Sequence, residues 1–212
     1  MMELEQILPE DIEKRSFEII ARELGDRTFP PEQFPVIRRV IHTTADFDYA
    51  DNLVFSDNGV YLALEALREG VPIVTDTNMG KAGINKNALK KYKNEVYCFM
   101  SDPDVARKAK EEGTTRAWAS MDKAAALGRD CVFAIGNAPT ALIRLYELTM
   151  RGILNPRLII GVPVGFVNVI QAKERIMTMD VPWIVGKGRK GGSNVAASIC
   201  NALLYQLKDD EK

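Results

Sequence analysis

Six short apolar runs, separated by helical patterns, constrain this chain more than any other feature. They are "NLVFS" (52–56), "PIVTD" (72–76), "EVYCFM" (95–100), "CVFAI" (131–135), "RLIIGV" (157–162) and "PWIVG" (182–186). Most are rich in Val and Ile and continuous rather than alternating, as strands covered on both faces read. Helical stretches lie between them. "NGVYLALEALREG" (58–70) ends at Gly70, a C-cap signal. "DPDVARKAKEEG" (102–113) opens with an Asp cap and a Pro and ends at Gly113. "APTALIRLYELTMRG" (138–152) and "SNVAASICNALLYQLKDD" (193–210) are longer. Strands alternating with helices predict an α/β fold with a parallel sheet and right-handed crossovers. No repeat, low-complexity tract or linker interrupts the pattern, so residues 1–212 are expected to form one domain.

Composition removes several classes of function. The formal net charge of −1 lacks the basic excess of a nucleic-acid-binding domain. The longest apolar runs carry Pro and Gly and fall short of the roughly 20 residues a membrane helix needs. The acidic start, "MMELEQILPEDIEKR", does not read as a signal peptide. Cys98, Cys131 and Cys200 are far apart in apolar surroundings, with no metal-ligand spacing. They are expected to be reduced and buried in a cytoplasmic protein.

In a sheet of this kind ligands bind at the carboxyl ends of the strands, near a switch in strand order. The polar, Gly-rich segments fall there: "TDTNMGKAG" after 72–76, "GNAP" after 131–135, "GVPVGFVN" at the end of 157–162 and "GKGRKGGSN" after 182–186. They are expected to converge on one rim. "GKGRKGGSN" lacks the Walker and dinucleotide spacings. It offers mobile backbone, three cations (Lys187, Arg189, Lys190) and a following helix start, which together suit an anion. The plain alternative is a solvated basic turn.

Two segments precede the sheet. "PEDIEKRSFEIIARELG" (9–25) is amphipathic, with Ile12, Phe17, Ile20 and Leu24 roughly on one stripe. "PPEQFPVIRRVIHTTADF" reads as a second helix, with Phe34, Ile37 and Ile41 at buried spacing. It carries the only histidine, His42, with Arg38 at i−4 and Arg39 at i−3. A cation beside an imidazole disfavours its protonated form unless an anion joins them. His42 is the candidate general acid or base; otherwise it is a partly buried helix histidine bonded to a carbonyl. A serine triad lacks its nucleophile elbow.

The other candidates are weaker alone. Asp76 and Thr77 with Lys81 form a strand-to-helix turn. The Gly-Asn turn at Asn137 lets a ligand approach backbone. Arg116 lies beside Trp118 in a stretch without clear periodicity, where an exposed loop arginine could reach an anionic ligand or a partner subunit. The residues alone therefore suit a large, multiply anionic organic ligand, with proton transfer at His42.

"RSFEII", "RRVIHTTADFDY", "TDTNMGKAGI", "FAIGNAPTAL", "GVPVGFVN" and "RKGGSNVAASICNALL" together, in order, closely resemble the precorrin-8X methylmutase family. The resemblance covers nearly the whole chain. It implies a three-layer α/β/α sandwich with a mostly parallel, flavodoxin-like sheet, and a homodimer with active sites near the subunit interface. It implies an isomerase of cobalamin biosynthesis that moves a methyl group from C-11 to C-12 of precorrin-8X or cobalt-precorrin-8, giving hydrogenobyrinate or cobyrinate. No cofactor or metal site is expected. The family's catalytic histidine falls on His42, a substrate-contacting serine on Ser16 and an arginine contact on Arg39. Arg15, Lys81, Arg116, Asn137 and Lys190 are the further expected contacts for substrate, with Lys187 and Arg189 in reserve. The competing readings are a tetrapyrrole carrier without chemistry and, on the Gly-rich loops alone, a nucleotide-dependent transferase.

Overall fold

The computed structural model describes residues 5–209. After a short 3-10 turn at Pro9–Asp11 come α1 (Ile12–Leu24), α2 (Phe34–Thr44) and α3 (Tyr49–Asn52). Then follow β1 (Leu53–Phe55), α4 (Gly59–Arg68), β2 (Ile73–Thr75), α5 (Asn78–Gly83), α6 (Lys86–Tyr92) and β3 (Val96–Tyr97). The second half holds α7 (Pro103–Glu111), α8 (Arg116–Ala125), β4 (Val132–Ile135), α9 (Pro139–Met150), β5 (Leu158–Gly161), α10 (Val169–Met177), β6 (Trp183–Gly186) and α11 (Ser193–Asp209).

All six expected strands form one sheet, in the order β1-β6-β5-β4-β2-β3. Every pairing is parallel except β1 with β6. The five parallel strands, counted from β2, run 2-1-3-4-5, the flavodoxin order, with its switch point between β2 and β4. Alternate strand residues serve opposite faces. Ile73, Val132, Ala134, Leu158, Ile160 and Ile184 enter the core beneath α1, α2, α4 and α11. Val74, Phe133, Ile135, Ile159 and Val185 enter the core beneath α7, α8, α9 and α10. Both faces are covered, which is why the runs are continuously apolar.

The expected helix ends hold. After α4, Gly70 takes φ 77° while Gly70 N–H donates to Leu67 O and Val71 N–H to Ala66 O. That pattern is a Schellman stop, which a side chain would strain. Some expectations are corrected. Asp102 makes no cap bond at α7; its carboxylate accepts from Lys123 at 2.7 Å. The stretch around Arg116 is helix α8, not a loop, and Thr115 caps it by accepting from Trp118 N–H. Ile12 is exposed, so the buried stripe of α1 is Ile20 and Leu24, with Phe17 half-buried. Cys131 and Cys200 are buried, but Cys98 only partly. Residue 210 of the expected last helix lies outside the described residues.

Candidate active site at the carboxyl rim

The four loops meet as expected, and hydrogen bonds join them. Buried Asp76, just after β2, accepts the backbone N–H groups of Gly136, Asn137 and Ala138 at 2.9, 2.8 and 2.6 Å. Burial pushes its carboxyl up, against these three donors, which favour the ionised form. Thr77 Oγ1 and Ser193 Oγ are 2.7 Å apart. Gly192 N–H donates to Val162 O, and Gly165 N–H to Arg189 O. Gly136 has no room for a side chain, because a Cβ there would stand 2.6 Å from Ser193 Cα. The start of α11 is therefore packed into the switch point, where a ligand would sit in a simpler sheet of this order.

The loop 187–192 is held from beneath. Lys173, on α10 and only 1% exposed, donates to Gly188 O at 2.8 Å and Lys190 O at 2.9 Å. Burial pushes its ammonium down to about 8. On the outside, Lys190 Nζ bonds Asp46 at 2.6 Å and Asp48 at 2.7 Å. These two carboxylates belong to the turn that ends α2, so the loop is tied to the His42 helix. Lys190 holds Asp46 below the usual carboxylate range, chiefly by that hydrogen bond.

α2 presents His42 in its last turn, half-buried. Its ring meets Phe17 of α1 edge-on, with centroids 5.3 Å apart and planes at 73°. Phe17 organises the whole cluster. Arg38 lies over it at 4.1 Å and Arg39 at 4.9 Å, contacts that suit guanidinium on an aromatic face. Arg39 also forks onto Glu13 at 2.6 and 3.1 Å and lies over Tyr205 at 5.0 Å. Burial pushes the Arg38 guanidinium down, with the Arg39 charge adding to the effect; its Nε is buried without a partner. The anion that joins these cations is Glu13. The Arg39 hydrogen bond holds it below the usual carboxylate range, and the charges of Arg39, His42 and Arg38 add to that. A pocket of ≈ 280 Å³ opens between Glu13, Phe17, Arg38, Arg39 and Tyr205. His42 itself meets no hydrogen-bond partner among the described residues, and its nitrogens are not among the buried unpaired atoms.

The remaining candidates are distributed unevenly. Ser16, next to Phe17, donates to Ile12 O at 2.9 Å. Arg15 is paired with Glu5 and Glu18. Asn137 projects from the rim with its backbone bound to Asp76. Lys81, exposed on α5, lines a separate open pocket with Lys86 and Lys90. Arg116 lies beneath the opposite face, in a basic groove with Arg107 and Lys110. Glu13, Phe17 and Lys173 were not among the residues expected from sequence. Phe17 stood in the amphipathic stripe, but its ring contacts, and the reach of Glu13 and Lys173, depend on tertiary packing. Among the described residues no group of three or more His, Cys, Asp and Glu is placed to hold a metal ion, and no helix is long and apolar enough to cross a membrane.

Comparison with known proteins agrees with this arrangement. The family model for precorrin-8X methylmutase matches residues 11–206. The cobalt-precorrin-8 methylmutase of Salmonella typhimurium is 44% identical over 210 residues, spanning 95% of this chain and 97% of that protein. That of Priestia megaterium is 42% identical over 197 residues, spanning 93% and 88%. The crystal structure of precorrin-8X methylmutase from Thermus thermophilus superposes with a TM-score of 0.88 at 39% identity, covering 94% of this chain and 98% of that one. On its fold, its rim and these matches, the chain belongs to the precorrin-8X methylmutase family.

Proposed function

We propose that His42 is the proton donor and acceptor of a corrin-ring methyl migration at this rim. Family membership makes the chain a methylmutase, an isomerase that acts within one molecule. The substrate is precorrin-8X or cobalt-precorrin-8, and the methyl group moves from C-11 to C-12, giving hydrogenobyrinate or cobyrinate. Such a [1,5] shift needs no nucleophile from the protein. It needs the macrocycle held in a reactive shape and protonated at one place. His42 gives a proton to a ring nitrogen or conjugated carbon, the methyl migrates as electron density is drawn away, and the proton returns. Atoms and charge balance, as an isomerisation requires.

The observation that carries this reading is the unpartnered imidazole of His42. A structural helix histidine would be bonded to a carbonyl, and among the described residues His42 meets none, only the edge of Phe17. Around it, Ser16, Arg39 and Lys190 meet the macrocycle and its carboxylates, with Arg15 and Asn137 at the margin. Arginine suits carboxylates through paired N–H bonds. Because Arg39 already pairs with Glu13, substrate binding competes with or extends that pair. The ≈ 280 Å³ pocket beside His42, lined by Arg38 and Arg39 but not by His42 itself, lies at the lower end for ligand sites, so it holds only part of a tetrapyrrole. We assign the remaining contacts, Lys81 and Arg116, to a homodimer with its sites near the subunit interface, in the cytoplasm. Nothing in the relatives named above supports a carrier without chemistry.

The test is His42→Ala. It should still bind the coloured corrinoid while turnover falls by about 10²–10⁴-fold, the usual worth of a general acid. Full turnover by this variant, measured from the visible spectrum of product extracted from denatured protein, would sink the assignment.

A further inference from the structure

The pocket beside His42 holds donors that lack an acceptor. Arg38 forms no hydrogen bond and no ion pair among the described residues, and its Nε is wholly buried. Its guanidinium carbon lies 4.1 Å from the centre of the Phe17 ring and 5.4 Å from that of Phe34. A ring face attracts the charge but offers no lone pair to the N–H groups. Glu13 does not meet the need, because both its oxygens are taken by Arg39, at 2.6 and 3.1 Å. Gln206 on α11, another wall of the same pocket, has a buried Nε2 that is also without an acceptor. Buried donors left unpaired ordinarily cost stability. Arg144 shows the contrast: it lies over Trp118 at 4.9 Å in the same way, but Asp122 and Glu147 pair with it. Charge points in the same direction. Of the residues that line the pocket only Glu13, Arg38 and Arg39 are charged. Arginine keeps its proton at any working pH, so one positive charge stays unanswered.

We infer that Arg38 is a second arginine for the substrate, receiving one peripheral carboxylate of the macrocycle in the pocket between Phe17 and Gln206. The planar edge of a guanidinium suits a carboxylate through paired N–H bonds. Arg38 precedes His42 by one helical turn, and both touch Phe17, so the anchor stands about 6 Å along α2 from the imidazole. A carboxylate fixed there brings the ring that carries it within reach of His42. Arg38 binds and aligns; it takes no part in proton transfer. That the carboxylate is the macrocycle's rests on the function proposed above.

The probes are hydrogenobyrinate and the same macrocycle with its side-chain carboxylates converted to amides, each titrated into the full chain. Arg38→Met keeps an unbranched stem against the two rings and removes the donors. It should weaken hydrogenobyrinate by about tenfold or more, as loss of a charge-assisted pair does. The affinity for the amide form should not change, and the thermal midpoint should stay or rise. Gln206→Glu puts a carboxylate into the pocket from its own wall. In the parent chain it should raise the midpoint and weaken hydrogenobyrinate. In the Arg38→Met background it should lower the midpoint, because the new charge then has no partner. If Arg38→Met lowers the midpoint and weakens both probes alike, Arg38 is a clamp on Phe17 and the assignment is wrong. Wild-type affinity of Arg38→Met for hydrogenobyrinate also overturns it, and leaves the functional reading standing. If the wild-type protein binds neither probe, the functional reading fails and this assignment falls with it.

Discussion

Around Phe17 the cations are held by side chains, whereas in the loop 187–192 the backbone is held by a cation. In the first region an aromatic face gathers Arg38, Arg39 and His42, and Glu13 locks one of them. In the second, Lys173 grips two carbonyls from below and glycines permit the close approach. A side-chain cluster can lose one member and reorganise. A backbone loop wedged against a strand end has fewer ways to relax. The two regions should therefore fail differently when perturbed.

Gly191→Ala is the harshest test of that difference. Its new methyl has nowhere to go but the Val162 carbonyl, so unfolding stability should fall by about 2–4 kcal/mol. Wild-type stability in urea would show that the loop is not wedged. A second comparison uses pH. Lys173 is pushed from the ordinary lysine value of 10.5 down to about 8 by burial. Between those values the unfolded chain binds more protons than the folded one, so stability rises with pH in that window. Wild type should gain on the order of 1–3 kcal/mol over Lys173→Met between about pH 8 and 10.5. Parallel stability curves for the two proteins would remove the buried charge from the account.

Phe17→Leu asks the corresponding question of the side-chain cluster. It keeps most of the bulk and removes the ring, so about 1 kcal/mol of stability and about tenfold in turnover should be lost. Unchanged turnover would mean that His42 is placed without the ring. The mildest perturbation is Lys190→Ala. Lys190 is half-exposed, and surface ion pairs contribute little. The thermal midpoint should stay within error, while hydrogenobyrinate binds less well; a large fall in the midpoint would make the Asp46 and Asp48 pairs structural.

The same contrast explains what could be read from sequence. The six strands were legible because Val and Ile crowd positions covered on both sides, and Arg38, Arg39 and His42 because helical phase places them together. α8 escaped because its buried face is Ala117, Ala119, Ser120, Met121 and Ala124, small residues that leave almost no hydrophobic period. α5 contains two glycines in six residues and depends on the Thr77 cap. α10 carries its buried face partly on Lys173, a residue that pattern reading places outside. The Glu13–Arg39 and Lys190–Asp46 pairs bridge 26 and 144 residues, and no local period records such a distance.

β1 and β3 form the two borders of the sheet, and they hold only three and two residues. A border that short offers few free main-chain groups for another strand to pair with, which protects against edge-to-edge aggregation. It also directs self-association. Borders this short disfavour a dimer made by extending one sheet into the next, and favour self-association through helices and loops, where the cations of the rim are displayed.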